Sequence, residues 1–184
     1  MKPPAFLPLV AILAVGGPAG AFEHQHHLGV DGGLTLLSIN DKSTTDVGAG
    51  VGLHYAYGLT DAFNFVAEGE SSLVALDQKQ DNRSSPHTRP STVSSAGAGV
   101  VYVLDVLQWV PYGGVIAEGY LLDGGTLTGG KLEVGGALAA GLDYQINRSW
   151  AVGIAYRQHF MLPDLAVYPV STNVFARFEY VWGW

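Results

Sequence analysis

Residue character alternates with a period of two along most of this chain, and that alternation limits its fold more than any other feature. Between residues 131 and 145, one parity is rich in leucine with valine and tyrosine, and the other carries glycine, alanine and isolated charges. Residues 149–160 and 173–184 alternate in the same way, with aromatic and aliphatic side chains on one parity. Successive side chains of a β-strand point to opposite faces, whereas a helical face repeats every 3.6 residues. The dominant period therefore predicts β-strands.

Eight segments of this kind follow one another from residue 27 onward, each about ten to fourteen residues long. The segment Trp109–Leu122 is too irregular for its parity to be assigned. Short connections are expected at Gly58–Asp61, Asp105–Gln108 and Gln145–Arg148, and longer ones at Asn40–Asp46, Asp77–Ser94, Asp123–Gly130 and Leu162–Ser171. An even number of antiparallel strands, with short turns at one end and long loops at the other, is typical of outer-membrane barrels.

The composition of the polar parity decides which face of this barrel meets water. The chain has 184 residues, of which 25 are glycine and only 14% are charged. A water-facing strand surface would carry many lysine, glutamate and threonine residues, whereas here the polar parity is mostly glycine, alanine and serine. Small residues suit the crowded interior of an eight-stranded barrel. The apolar parity is therefore expected to face lipid, which favours a membrane barrel over a soluble carrier.

Aromatic residues support the same orientation. Twelve of them lie near a predicted short turn or the C-terminus: Tyr55, Tyr57, Phe63, Phe65, Tyr102, Trp109, Tyr112, Tyr144, Trp150, Tyr180, Trp182 and Trp184. In a folded barrel they are expected to form one ring at the short-turn end, as an interfacial girdle does.

The N-terminal residues have the pattern of a secretory signal peptide. Lys2 is followed by the apolar stretch Ala5–Val15 and by an A-x-A-like site at Ala19–Ala21. The apolar stretch is too short for a membrane-spanning helix, which needs about twenty residues. We expect residues 1–21 to be the signal peptide and residues 22–184 to be the barrel domain.

Three sequence segments resemble the small eight-stranded outer-membrane barrels of the OmpX and OmpA-barrel type. Tyr57–Phe65 and Gly141–Trp150 are similar to periplasmic turns of that family, and Phe178–Trp184 is similar to its C-terminal strand. Trp184 stands where the family usually ends in phenylalanine. The resemblance implies an all-β, antiparallel, up-and-down transmembrane barrel in the bacterial outer membrane. It also implies contact with outer-membrane lipids and lipopolysaccharide, and reading of the terminal aromatic residue by the barrel-assembly machinery.

Charged residues on the inward parity are the main candidates for a functional site. The predicted lumen network contains Asp31, Glu68, Glu70, Glu133, Asp143, Glu179, Lys131, Arg157 and Arg177, with His54 and His159 nearby. Buried charges are costly unless they are paired, so these groups are expected to form salt bridges that fill the lumen. Antiparallel pairing is expected to set Arg157 roughly opposite Phe175. Both arginines are then predicted to pair with Glu68, Glu70 and Asp31.

The remaining motifs favour a protein that is not an enzyme. No G-x-S-x-G, H-E-x-x-H or Walker motif is present, and the chain has no cysteine. Its net charge of −7 argues against nucleic-acid binding. Lipid-A deacylases of this barrel class carry His and Ser two residues apart on a lipid-facing strand. Here His159 is on the inward parity and Met161 stands two residues on. The stretch Glu23–His27 contains His24, His26 and His27 but no fixed carboxylate or thiolate to complete a metal site.

We therefore expect a non-enzymatic barrel that displays surface loops and has a structural or partner-binding role, without a cofactor. Lys79, Arg83 and Arg89 in the longest loop are candidates for contact with lipopolysaccharide phosphates or an envelope protein. Two alternatives remain open. One is a narrow pore or carrier for small hydrophobic molecules, which a lateral opening in the wall would favour. The other is a lipid-A-modifying enzyme.

Overall fold

A computed structural model describes residues 23–40, 44–74, 89–104 and 108–183. Eight antiparallel strands follow in order: β1 His26–Ile39, β2 Thr44–Gly58, β3 Phe63–Leu73, β4 Thr92–Val103, β5 Trp109–Asp123, β6 Lys131–Asn147, β7 Trp150–Met161 and β8 Ser171–Trp182. Each strand pairs with the next, and β8 pairs with β1 to close the barrel. This confirms the predicted fold. The predicted signal peptide, Lys79, Arg83 and Trp184 lie outside the described residues.

Three connections at each end have the expected lengths, and the connection between β1 and β2 is shorter than predicted. Residues 59–62, 104–108 and 148–149 join strands at the short-turn end, and residues 74–91, 124–130 and 162–170 join them at the long-loop end. The predicted loop Asn40–Asp46 is wrong in its extent, because β2 already begins at Thr44 and only residues 40–43 lie between the strands. Asp46 belongs to β2 and is buried, and its carboxylate accepts a 2.6 Å hydrogen bond from Nε of Arg89. This charge pair joins the first residues of β2 to the end of the connection before β4.

Two short turns are stabilised by side chains within the turn itself. The Oγ1 atom of Thr60 accepts hydrogen bonds from the backbone N–H groups of Ala62 at 3.3 Å and Phe63 at 3.1 Å. At the β6–β7 turn, Oδ1 of Asn147 accepts from the N–H groups of Ser149 at 2.8 Å and Trp150 at 3.1 Å. These local hydrogen bonds satisfy the turn backbone and set where the following strands begin.

The outer wall of the barrel is apolar, as the alternation predicted. Outward side chains such as Leu132, Val51 and Leu53 are 77%, 67% and 61% exposed. Aromatic rings meet at the short-turn end: Phe63 with Tyr102, Trp109 with Tyr144 and Trp150 with Tyr180 between neighbouring strands, and Tyr180 with Trp182 along β8. In the described part of the chain, no helix is both long and apolar enough to cross a membrane.

Strand β5 has its even-numbered residues inside. Val110, Ile116, Glu118 and Tyr120 are all buried, so this strand brings large apolar groups into the lumen as well as a carboxylate. Tyr112 shares that parity and packs against buried interior residues. Its predicted place in the aromatic girdle is therefore wrong, because closeness to a turn does not decide the face on which a residue lies.

Apolar side chains form two clusters inside the barrel. The lower apolar cluster, on the side of β2 to β6, consists of Ala56, Val66, Val101, Val103, Val110, Ile116, Ala137 and Ala139. The outer apolar cluster, at the long-loop end, consists of Leu37, Ile39, Val74, Val93, Tyr120, Leu122, Met161 and Tyr168. Most of the inward charged residues lie between the outer apolar cluster and the short-turn end.

Candidate functional site

The strand register brings charges that are distant in sequence to one part of the lumen. Arg177 on β8 is directly opposite Asp31 on β1 and Gly153 on β7. In the register of β2 and β3, His54 is directly opposite Glu68. All of these residues lie on the inward parity of their strands, so closure of the barrel converts a scattered pattern into a single cluster.

Arg177 is the centre of the lower part of this network and is only 7% exposed. Its Nε atom donates to Oδ1 of Asp31 at 3.0 Å, and Nη1 lies 3.3 Å from Oε1 of Glu179. The same Nη1 is 3.9 Å from Oδ2 of Asp143. The guanidinium carbon lies 5.1 Å from the centre of the Tyr112 ring, within the range of a cation–π contact. One guanidinium group thus interacts with three carboxylates and with the face of one aromatic ring.

His54 links two of those carboxylates. Its Nδ1 atom is 2.8 Å from Oδ2 of Asp31, and its Nε2 atom is 2.6 Å from Oε1 of Glu179. An ionised carboxylate only accepts hydrogen bonds, so an imidazole can satisfy both only if both ring nitrogens carry hydrogen. The other oxygen of Glu179 lies 3.2 Å from Nδ1 of His27. Glu179 therefore joins side chains from β1, β2 and β8.

Arg157 and Glu68 form a separate pair. Nε of Arg157 lies 3.1 Å from each carboxylate oxygen of Glu68, and Nη2 donates to Oε2 at 2.9 Å. The two side chains are 4% and 6% exposed. The guanidinium carbon is 6.0 Å from the Tyr112 ring. Tyr112 consequently contacts both lumen arginines.

His159 occupies the upper part of the network. Its Nδ1 atom is 2.7 Å from Oε2 of Glu118, and its Nε2 atom is 3.2 Å from Oε1 of Glu70. The side-chain amide of Asn173 also donates to Glu70. The ring of Tyr120 meets His159 edge-on, with ring centres 5.8 Å apart.

Two predicted details of this network are wrong. Glu70 is bonded to His159 and Asn173 and not to an arginine. Arg157 is opposite Asn173, and Phe175 is opposite Ala155. The β7–β8 register differs by two residues from the one predicted, which preserves the inward parity but moves Arg157 past Phe175 along β8.

The remaining predicted charges lie closer to the long-loop end. Nζ of Lys131 is 3.0 Å from Oε1 of Glu133 and also pairs with Asp164 in the β7–β8 connection. Arg89, predicted as a surface contact, forms a bidentate pair with buried Asp46. Lys79 and Arg83 lie in the part of the chain that the structure does not describe.

Several members of the site were missed from the sequence. Glu118 was not predicted because the parity of its strand was unassigned. Asn173 and Tyr112 carry no formal charge and so gave no electrostatic signal, although Asn173 is on the same parity as Arg177 and Glu179. His54 and His159 were placed near the network, but their position between pairs of carboxylates follows only from the three-dimensional register.

The N-terminal histidines are separated by the fold. His26 and His27 are consecutive strand residues and point to opposite faces. His26 stacks on Trp182 in the outer girdle, with ring centres 5.2 Å apart, and His27 points into the lumen towards Glu179. Within the described ranges, no group of three or more His, Cys, Asp or Glu side chains is arranged to hold a metal ion.

A closed antiparallel barrel with an apolar outer wall, an aromatic girdle at the short-turn end and a cluster of charges inside the lumen is a transmembrane barrel of the bacterial outer membrane. The outer membrane protein β-barrel domain family matches residues 7–178, and the chain belongs to this family. Its short-turn end is therefore the periplasmic end, and its long loops are extracellular.

Solved structures share this architecture at low sequence identity. Neisserial surface protein A superimposes with a TM-score of 0.62 at 15% identity, covering 86% of this chain and 99% of that one. The attachment invasion locus protein Ail of Yersinia pestis gives 0.56 at 12% identity, covering 87% and 99%. OprG of Pseudomonas aeruginosa gives 0.52 at 12% identity, covering 89% and 99%. A comparison with curated protein sequences finds no significant match. The similar structures show the common fold, and the predicted outer-membrane location is confirmed.

Proposed function

We propose that this protein is a non-enzymatic outer-membrane barrel whose filled interior supports extracellular loops that bind a partner or stabilise the envelope. The main support for this proposal is the buried network at mid-height of the barrel. There, Arg157, Arg177 and Tyr112 fill space between opposite walls. Paired charges and an aromatic ring in contact leave little room for a wide aqueous passage in a barrel of eight strands.

The extracellular end of the lumen supports the same function. Tyr168 in the β7–β8 connection is 2% exposed and belongs to the outer apolar cluster. Backbone hydrogen bonds hold this connection against β1, from the N–H of Ser38 to the carbonyl of Val170 at 3.0 Å and from the N–H of Asn40 to the carbonyl of Val167 at 2.9 Å. The connection therefore covers the mouth of the barrel with apolar groups.

The end of the longest connection is joined firmly to the barrel. Arg89 is bonded to Asp46 of β2, and its carbonyl accepts a 2.8 Å hydrogen bond from the N–H of Thr126 in the β5–β6 connection. Loops presented by a rigid scaffold commonly carry binding functions. We propose that Lys79 and Arg83 of this connection contribute to such a surface, with lipopolysaccharide phosphates or an envelope protein as the partner.

The lumen offers no support for hydrolysis. His159 is bonded to Glu70 and Glu118 and faces inward, so its ring nitrogens are directed at carboxylates and away from lipid. A lipid-modifying site would instead need a base and a nucleophile on the outer wall. This arrangement supports a protein without that activity.

Conductance measurements test the filled lumen. Purified full-length protein in planar lipid bilayers should give no large, stable current steps. Reproducible porin-sized steps would contradict the proposal.

Pull-down from intact envelopes tests loop display. Alanine substitution of both Lys79 and Arg83 should reduce capture of the partner while leaving heat-modifiable gel mobility unchanged. Arg148→Ala at an exposed periplasmic turn is the matched control. Equal loss of capture in the control would argue against an extracellular binding surface.

A further inference from the structure

His159 lies directly beneath the outer apolar cluster that covers the extracellular mouth of the barrel. Met161, the next inward residue of β7, belongs to that cluster, and so does Tyr120, whose ring meets the imidazole edge-on at 5.8 Å. Tyr168 of the β7–β8 connection belongs to the same cluster. A change at this histidine therefore reaches the residues that hold the connection in place.

The imidazole of His159 lies between two carboxylates that come from other strands. Its Nδ1 atom is 2.7 Å from Oε2 of Glu118 on β5, and its Nε2 atom is 3.2 Å from Oε1 of Glu70 on β3. The side chain of Glu118 is fully buried, and its Oε1 atom accepts no hydrogen bond from the residues that the structure describes. A charge in such a place is costly unless an opposite charge balances it.

The nearest permanent cations are engaged by other acids. Arg157, the next inward residue of β7 towards the periplasm, is paired with Glu68. Lys131 of β6 is paired with Glu133 of the same strand. Tyr120 is the other titratable group against the imidazole, and its hydroxyl donates to a backbone carbonyl of β6 at 3.1 Å. The imidazole is thus the group in contact with the two carboxylates that can balance their charge.

The hydrogen bonds of this site can be completed in two ways. With hydrogen on both ring nitrogens, the imidazole donates to both carboxylates. With hydrogen on Nδ1 alone, Nε2 can accept from the amide of Asn173, whose Nδ2 atom is 3.1 Å away. Strand β8 adds no charge here, because Asn173 and Ser171 are its inward residues beside the ring. Only the first state places a positive charge between the two carboxylates.

We propose that His159 is a pH-sensitive switch that fastens the β7–β8 connection, residues 162–170, as a lid over the barrel. The charged imidazole joins β3, β5 and β7 beneath the lid. After loss of the proton, two buried carboxylates face each other across a neutral ring, and their repulsion separates the strand ends that carry Tyr120 and Met161. The lid is therefore closed at lower pH and loosens as the pH rises.

His54 also lies between two carboxylates but is not expected to act in this way. Its partners Asp31 and Glu179 both contact Arg177 as well, at 3.0 and 3.3 Å. A permanent cation therefore remains beside those carboxylates when the His54 ring is neutral. This contrast makes His54 the matched control for His159.

A spin label on the lid tests the switch. The chain has no cysteine, so Leu165→Cys, at a lid residue that is 41% exposed, can carry a single nitroxide. Electron paramagnetic resonance spectra are recorded on the full chain in phosphatidylcholine nanodiscs from about pH 5 to about pH 10. The ratio of mobile to immobile label should rise through one transition by up to about ten-fold per pH unit, because one proton is released. A label at Arg148→Cys, in a periplasmic turn, should show no such transition.

Two further substitutions in the labelled chain should have opposite effects. His159→Gln removes the cation, and the lid label should be mobile over the whole pH range. Glu118→Gln removes one carboxylate, so a neutral imidazole leaves only Glu70 charged, and the label should stay immobile at high pH. Damage to packing alone would mobilise the label in both variants. His54→Gln should keep the transition of the parent.

Several results would overturn the inference. These are the absence of a transition in the parent, a transition that persists in His159→Gln, and its loss in His54→Gln. Equal mobility in Glu118→Gln and His159→Gln would show that packing and not charge holds the lid. The relevance of the lid to loop display rests on the proposed function. The spectra need no binding partner, however, so failure of the switch and failure of the extracellular binding surface are observed separately.

Discussion

The Arg157–Glu68 pair allows a sharp test of how the lumen network contributes to stability. The two groups bond mainly to each other, through three contacts of 2.9–3.1 Å. We compare Arg157→Met, Glu68→Gln and the variant with both substitutions. Each single variant leaves one buried charge without its partner, whereas the double variant removes both charges and retains much of the side-chain volume.

The expected magnitude follows from burial of the pair. Both side chains are almost completely buried, at 4% and 6% exposure, so solvent cannot compensate for a lost partner. Breaking a buried ion pair typically costs about 3–5 kcal/mol. For a chain of this size, 1 kcal/mol shifts the unfolding midpoint by about 2–4 °C, so each single variant should unfold about 6–20 °C lower than the parent. The double variant should be more stable than either single variant, because no charge is left unpaired.

Heat-modifiable gel mobility in one detergent measures these differences, with the folded and unfolded bands quantified at each temperature. Arg148→Met, at an exposed turn, is the control for loss of an arginine as such and should unfold close to the parent. Single variants that unfold with the parent would show that the pair contributes little. A double variant less stable than both single variants would refute the charge-pairing argument.

Three further predictions follow from the lumen and the wall. Arg177→Ala should lower the heat-modification temperature well below that of Arg148→Ala, because three carboxylates lose their shared cation, and similar curves would contradict the central role of Arg177. Gly153→Val should destabilise the barrel, because a Cβ at that position would lie 2.6 Å from the Leu142 carbonyl oxygen and 2.9 Å from the Cα of Asp143; an unfolding curve identical to that of the parent would show that the wall yields there. In cell fractionation the protein should remain with the outer membrane, and its recovery in soluble periplasmic extract without detergent would refute the barrel.

The barrel itself could be predicted because a strand that separates lipid from a small lumen imposes a strict alternation. Glycine and alanine on one parity and leucine on the other identify the two faces of β6 without any tertiary information. Strand β5 breaks the pattern, because inward Val110, Ile116 and Leu122 are as apolar as outward Val115 and Leu121. Parity was therefore unreadable where the lumen is lined by core-like side chains.

The site could be predicted in its membership but only partly in its contacts. The alternation alone places Asp31, Glu68 and Arg177 on the inward face. It does so because a one-residue change in register would turn every side chain of a strand to the opposite face of the sheet. Contacts across the lumen depend on relative strand height, which a shift of two residues alters without changing parity. For this reason the sequence does not predict that Arg157 is opposite Asn173 or that Glu70 pairs with His159.

The pairing of the first strand with the last has a consequence for biogenesis. Asp31 and His27 on β1 and His54 on β2 are synthesised early, but their partners Arg177 and Glu179 lie on β8, 125–152 positions later in the chain. A nascent protein that lacks β8 therefore holds an incomplete network, in which Asp31 and His54 have each other but lack Arg177 and Glu179. Arrival of the final strand supplies the missing charges and the last row of backbone hydrogen bonds in the same event. Polypeptides truncated before residue 171 should consequently fail to mature and remain exposed to periplasmic quality control.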